Sequence, residues 1–191
     1  MEENPPVRHP RKEYHEHPLR ELLKFAAIAI IIVIPIRVFI AQPFIVNGSS
    51  MVPTFEDGDY LIVDEISYRF NDPERGDVVV FRYPNDPSKF FIKRIIGLPG
   101  ETLKIVGSKV SIRHNKTEDE ELYESYVVYP AQNNIEITLN DDEFFVMGDN
   151  RAQSSDSRSW GPMPKKFLVG RALIRLLPPN QIGYLPGKIN P

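Results

Sequence analysis

Phe90-Phe91-Ile92-Lys93-Arg94-Ile95-Ile96-Gly97-Leu98-Pro99-Gly100-Glu101 sets the character of this chain. Aromatic and β-branched residues dominate its first half, as a pleated strand requires, and Leu98-Pro99-Gly100 turns the chain at its end. Alternation puts Phe91, Lys93 and Ile95 on one face of such a strand, without saying which face is buried. Similar signals recur at Tyr60 to Val63, Val78 to Tyr83, Thr102 to Val106, Lys109 to Arg113, Glu143 to Met147 and Val169 to Leu176. Turns such as Arg75-Gly76-Asp77 separate them, and no long helical pattern intervenes. Short strands at this density predict a mainly β, antiparallel sheet or barrel-like domain. The acidic, polar stretch Asn115 to Glu121 reads as a hairpin tip or small insertion.

Composition excludes several classes. The chain has 191 residues and a net charge of −3, without the basic face of a nucleic-acid binder. It has no cysteine, so neither a disulfide framework nor a thiolate metal site exists. Of its 4 histidines, His9, His15 and His17 lie in the polar N-terminal tail and His114 beside a charged loop, all reading as solvated. A Ser-His-Asp triad has little to draw on, and no HExxH zinc helix is present. Neither a cofactor nor a metal is expected.

Residues 1–21 are charged and proline-bearing, and read as a disordered tail. Residues 22–44 read as a transmembrane anchor. Phe25 to Phe44 is apolar but for Pro35, Arg37, Gln42 and Pro43, and a helix needs about 20 such residues to cross the hydrocarbon core. Arg37 lies within snorkelling reach of the outer interface. A buried core helix is the alternative, but Ala26 to Ile34 has no polar face. Arg8, Arg11, Lys12, Arg20 and Lys24 precede the span, and after it no lysine or arginine occurs until Arg69. This bias predicts a cytoplasmic N-terminus, a single pass through the plasma membrane, and residues 45–191 outside as one β-rich domain. Phe39 and Pro43 around Ala41 do not suit a signal-peptide cleavage site, so the segment is expected to stay as an anchor.

Two further runs carry chemistry. Gly48-Ser49-Ser50-Met51-Val52-Pro53-Thr54 follows the apolar segment, and a glycine before serines lets the chain turn sharply and expose a hydroxyl. A plain turn would use the same residues. Gly148-Asp149-Asn150-Arg151-Ala152-Gln153-Ser154-Ser155-Asp156-Ser157-Arg158-Ser159-Trp160-Gly161 is denser in polar groups than any helix or strand needs, which implies a specified hydrogen-bond network. A serine without a histidine needs another base, and a lysine serves if apolar burial lowers its pKa. From the residues alone, Lys93 and Arg94 read equally as strand-edge charges, and Asp156 and Arg158 as a surface pair worth at most about 1 kcal/mol.

These runs together resemble the bacterial type I signal peptidases, membrane-bound serine proteases that remove signal peptides. That family carries an S-M-x-P-T box just after its anchor, and its nucleophile maps to Ser50, not to Ser49. Arg75-Gly76-Asp77-Val78-Val79-Val80-Phe81 matches its R-G-D-[VI]-V-x-F box, a strand of the core, although Arg-Gly-Asp alone also suggests an integrin-binding tripeptide. Phe90 to Glu101 contains its K-R-x-x-G-x-P-G-[DE] box, whose general base maps to Lys93. In the last box the lysine-orienting serine maps to Ser154 and the salt-bridged pair to Asp156 and Arg158. The resemblance covers most of residues 42–161. It implies endoproteolytic removal of signal peptides from exported preproteins after small residues at the third and first positions before the cut. Phe44, Val46 and Ile92 match pocket-lining positions, with plain core packing as the alternative. Its partners would be preprotein signal peptides and the lipid bilayer, with no nucleic acid and no metal.

The chain departs from the family in two places. Gly48 stands where some members carry a serine that helps hold the oxyanion, which leaves the Ser50 N–H as the expected donor. The segment between the lysine box and the last box is short, so any second subdomain must be small. Two other readings compete. A Ser/Lys self-cleaving repressor would need DNA-binding helices where this chain has its apolar segment. A single-span envelope protein that only binds peptides would tolerate loss of Ser50 and Lys93.

Overall fold

The computed structural model describes residues 18–35, 41–114 and 118–189. The chain divides into two compact units, residues 1–36 and 37–191. The first is a helix, α1 (Pro18–Pro35), bounded by prolines that fit the first turn but cannot continue a helix from its interior. Glu21 and Lys24 pair across one turn at 2.7 Å, and Leu22 to Val33 are all exposed. Among the described residues no helix is long and apolar enough to cross a membrane. The reason is visible in α1: its 18 residues rise ~27 Å, and Arg20, Glu21 and Lys24 occupy its first turns. Residues 18–21, assigned above to the disordered tail, are helical. Residues 1–17 and 36–40 lie outside the described set.

The second unit is built from two antiparallel sheets. The larger contains β1 (Ala41–Ile45), β2 (Tyr60–Asp64), β3 (Val78–Tyr83), β4 (Asp86–Gly97), β9 (Glu143–Met147), β10 (Met163–Pro164), β11 (Leu168–Leu177) and β12 (Gly183–Tyr184). The smaller contains β5 (Thr102–Gly107), β6 (Lys109–Arg113), β7 (Glu120–Glu121) and β8 (Asn133–Thr138). In the larger sheet the order is β1-β2-β11-β3-β4-β9-β10, with β12 on β11, and the path does not close into a ring. The smaller sheet runs β7-β6-β5-β8.

Among the described residues, five strands escaped the sequence: the two-residue β7, β10 and β12, and the longer β1 and β8. Ala41–Ile45 pairs in register with Tyr60–Asp64, so the β-domain begins inside the segment that hydropathy assigns to the anchor. Pro43 is tolerated because β1 is an edge. β8 opens on two asparagines, a residue depleted in strands, yet its Ile135 and Ile137 alternate and pack on the small sheet's core. Of the stretch Asn115 to Glu121, residues 115–117 lie outside the described set, and Glu120–Glu121 form β7, which pairs back on β6.

Alternation decides the packing. On β3, Val79 and Phe81 join Ile95, Phe144, Val146 and Met163 in one cluster, while Val78 joins Val46, Met51, Phe55, Leu61 and Ala172 on the opposite face. A third cluster, with Ile96, Leu103, Ile105, Phe145 and Met147, joins the two sheets. Each fully buried side chain of this kind contributes ~1.5–3 kcal/mol. At its C-terminal end, from Lys93 to Gly97, β4 is buried on both faces. A lysine and an arginine thus enter the interior from adjacent positions, one on each side of the sheet.

Candidate active site

β1 delivers the chain to a turn at residues 48–54. Gly48 sits at φ +88°, a conformation open to glycine, and its N–H donates to Asp57 Oδ1 at 2.7 Å. Met51 and Phe55, both 0% exposed, pin the turn into the core. Thr54 Oγ1 donates to Asp149 Oδ2 at 2.5 Å, which ties the turn to the loop after β9. Between these anchors Ser50 faces β4. The Lys93 Nζ lies 2.8 Å from Ser50 Oγ and 2.9 Å from the Ile92 carbonyl oxygen, with the Phe91 ring 5.3 Å away. Lys93 is 4% exposed, and burial lowers its pKa from 10.5 to about 8, against the opposing pull of Asp156 and Asp149. An amine in this state is a neutral base at only mildly alkaline pH.

The loop from Gly148 to Gly161 closes over this pair. Asn150 N–H donates to the Ser50 carbonyl at 3.0 Å and Asn150 Nδ2 to the Ser49 carbonyl at 3.2 Å, so the loop grips the nucleophile turn by its backbone. Gly148 makes the approach feasible: a Cβ there would collide with Ser154 and with the Ser50 carbonyl oxygen. Asp156, 0% exposed, accepts both ends of the Arg158 fork at 2.8 Å and the Gly148 N–H at 3.0 Å. Burial alone would raise the Asp156 carboxyl, but Arg158, with help from the Gly148 N–H and Ser154, holds it below the usual range. This is an interior pair, not the surface pair that the i, i+2 spacing allows. Arg158 also reaches the Arg151 carbonyl at 2.7 Å and Asn133 on β8 at 3.0 Å. Ser154 Oγ is buried and helps keep Asp156 ionised, yet it makes no well-formed hydrogen bond. The structure therefore gathers Ser50, Lys93, Asp156 and Arg158 around one loop but does not join Ser154 to the Lys93 amine.

Three ion pairs, each with at least one buried partner, were not legible as pairs. Arg94 donates to Asp149 at 2.8 and 2.5 Å, with side chains 1% and 0% exposed. Arg151 pairs with Glu124 at 2.9 and 2.5 Å and donates to the Gly148 carbonyl at 3.1 Å. Arg75 grips Glu101 at 2.8 and 2.5 Å, Glu101 also meets His114 at 2.8 Å, and Asp77 accepts from the Tyr68 hydroxyl at 2.8 Å. The Arg75-Gly76-Asp77 tripeptide thus serves the fold, and His114, expected to be merely solvated, is a partner of Glu101. Among the described residues no group of three or more His, Cys, Asp or Glu side chains is placed to hold a metal.

Comparison with known proteins now bears on this geometry. The family described as signal peptidase, peptidase S26, matches residues 19–177. Signal peptidase I of Leptolyngbya laminosa is 38% identical over 179 residues, 89% of this chain and 85% of its own. Probable signal peptidase I-2 of Synechocystis is 41% identical over 172 residues, 86% of this chain and 76% of its own. The chain belongs to the signal peptidase family, peptidase S26. As a member it is a serine endopeptidase. A solved signal peptidase I from Enterococcus faecalis, 25% identical, overlays 53% of this chain and 97% of its own at a TM-score of 0.45, below the level at which a likeness bears on the fold.

In a signal peptidase, substrate must reach the serine. A cleft of about 460 Å³ opens beside Ser50 and Lys93, with Phe44, Val46 and Ile92 on its walls. Val46 is also 4% exposed and part of the Met51–Phe55 cluster, so wall and core are the same side chain seen from two sides. Ser49 Oγ donates to Gln153 Oε1 at 2.9 Å, which commits its proton away from the cleft. Among the described residues nothing accepts the Ser50 N–H.

Proposed function

We propose that Ser50 is the nucleophile and Lys93 the general base of a signal peptidase that cuts exported preproteins after small residues. The supporting observation is the 2.8 Å contact between Lys93 Nζ and Ser50 Oγ in a site where burial favours the neutral amine. Neutral Lys93 takes the Ser50 proton as the oxygen attacks the scissile carbonyl carbon. The Ser50 N–H stabilises the oxyanion, and in this relay Lys93 then gives its proton to the leaving amine, releasing the mature protein. A water molecule, deprotonated by Lys93, attacks the resulting ester. The signal peptide leaves with a carboxylate end, and Ser50 recovers its hydrogen. Phe44, Val46 and Ile92 leave room for small side chains at the first and third positions before the cut. Asp156 and Arg158 hold the loop that frames the pair, and the Ser154 hydroxyl orients the Lys93 amine during the reaction.

The membrane part of the proposal rests on the apolar segment. Phe25 to Val33 of α1 expose apolar side chains all around the helix, as a lipid-facing helix does. With the apolar segment from Phe25 up to the start of β1 at Ala41 as a single-pass anchor in the plasma membrane and basic residues before it, the catalytic domain lies outside. Protease added to spheroplasts should then digest residues 45–191, and protection of that domain would refute the topology. A purified preprotein should be cleaved by the wild type and left intact by Lys93→Ala and Ser50→Ala. Retained cleavage in either variant would refute the dyad.

A further inference from the structure

The catalytic cleft does not end the concave surface. Phe90 stacks edge-on against Phe44 with ring centroids 5.4 Å apart, and its other side lines a second concavity of about 370 Å³. β1 continues into this space through Gln42, and β3 through Arg82. Its chemistry is unlike that of the first cleft. Arg69, Arg82 and Lys165 bring cationic heads to its rim, against the single carboxylate of Glu65. Arg82 is held in place, its guanidinium 4.6 Å over the Phe90 ring and donating to the Pro87 carbonyl at 3.1 Å. Lys165 reaches Asp72 at 2.7 Å, a surface pair whose acid is 89% exposed and which competes weakly with a better-placed anion. Glu65 Oε1 is buried without a hydrogen-bond donor, and its carboxyl is raised by burial against the pull of Arg69 and Arg82, so the lining sets three cationic side chains against one carboxyl. The concavity therefore presents a positive field to whatever passes Phe90.

The direction of the substrate follows from the first cleft. Lys93 touches Ser50, and three positions earlier on the same strand Phe90 packs against Phe44, so the cleft's lining runs along β4 from the dyad to the Phe44–Phe90 pair. A substrate strand with its first residue before the cut at the dyad, and its third toward Phe44, leaves over Phe90 with the residues that precede these. Alternate side chains of a strand share a face, so the fifth residue before the cut points the same way as the first and third. We infer that the second concavity is a subsite for an acidic side chain five residues before the cut. This rests on the Ser50–Lys93 reading, and the test separates the two.

Peptides that differ only in Glu, Gln or Lys at the fifth position are cleaved by the purified full chain, with Glu at the fourth position as a control for the face. Glu at the fifth position is expected to lower KM about three- to tenfold relative to Gln, the scale of one or two partly exposed ion pairs, and Lys to raise it. The value of kcat should not move, and the advantage should shrink in 1 M salt, where exposed charges are screened. Arg69→Glu with Lys165→Glu should reverse the order to favour Lys, and cleavage of the Lys peptide then shows that this variant is folded. Equal KM for all three peptides with the wild type overturns the subsite and leaves the dyad standing. So does an equal advantage at the fourth position. Failure to cleave any of the peptides overturns both.

Discussion

Lys93 and Arg94 are neighbours on one strand, buried to nearly the same depth, and given quite different partners. They are 4% and 1% exposed. Arg94 meets Asp149 through two hydrogen bonds, the carbonyls of Gly76 and Gly187, and the Tyr126 ring at 4.2 Å. Lys93 meets a hydroxyl, a carbonyl and an aromatic face, while Asp156 and Asp149 act on it only through their fields. Burial penalises both charges, so burial is not what separates them. The partner is. A carboxylate in hydrogen-bond contact keeps a cation charged inside a protein, and without one the cheaper response is to lose the proton. Residue type reinforces the choice, since arginine does not deprotonate in proteins and lysine does.

The sharpest attack on this contrast is Lys93→Arg. If neutrality is what matters at this position, a permanent cation cannot accept the Ser50 proton, and cleavage should fall by ~10²–10⁴-fold, as for a lost general base. Near-normal rates in a preprotein assay would mean that the position needs only a positive charge. On the other face, Asp149→Ala should leave Arg94 charged, buried and unpaired, destabilising the domain by about 3–5 kcal/mol. Denaturant titration measures this, and a loss below about 1 kcal/mol would mean that the pair is not what keeps Arg94 inside.

A gentler test compares the two states of Lys93 directly. Above pH 10.5 the lysine is neutral in the folded and unfolded chain alike, and its burial carries no protonation penalty. Between 10.5 and about 8 the unfolded chain binds a proton that the folded one does not, so stability falls as pH falls. Below about 8 the loss is complete, about 3 kcal/mol at most. Lys93→Met should therefore raise the Tm over wild type at pH 7 and lose that advantage near pH 10.5. The cleavage rate should rise through pH 8 as the base is freed, and a rate that falls over that range would contradict the general-base role. The smallest expected change in stability is that of Ser154→Ala. Its hydroxyl holds nothing firmly, so melting should shift by no more than ~0.5 kcal/mol. Turnover should still drop, by up to about 100-fold, if the hydroxyl positions the amine during the reaction. A loss of Tm in step with activity would make its role structural.

The regular part of this contrast was legible in the chain and the irregular part was not. Alternation located β3, β6 and β9 at their observed ends, because a strand with a buried face writes its period into consecutive residues. β1 was hidden because its residues continue an apolar run and include a proline, and nothing local distinguishes an edge strand from the end of a span. The same limit applies to the site. The resemblance pointed to Ser50 and Lys93, and the structure places them in contact. That Arg94 is a buried post depends on Asp149, 55 residues away, and that Asp156 is interior depends on the loop that covers it. Pairing across such distances leaves no periodic trace, whereas spacing along a strand does.

The tie between Thr54 and Asp149 has a consequence for the order of synthesis. The serine turn is made early, the lysine strand 43 residues later, and the loop that grips both 95 residues after Thr54. Until that loop emerges, the turn lacks its anchor and Arg94 its counter-ion, so Ser50 and Lys93 have no frame in which to meet. A nascent chain is therefore an inert polypeptide, able to cut other proteins only once the loop from Gly148 to Gly161 has been made and has closed on the serine turn.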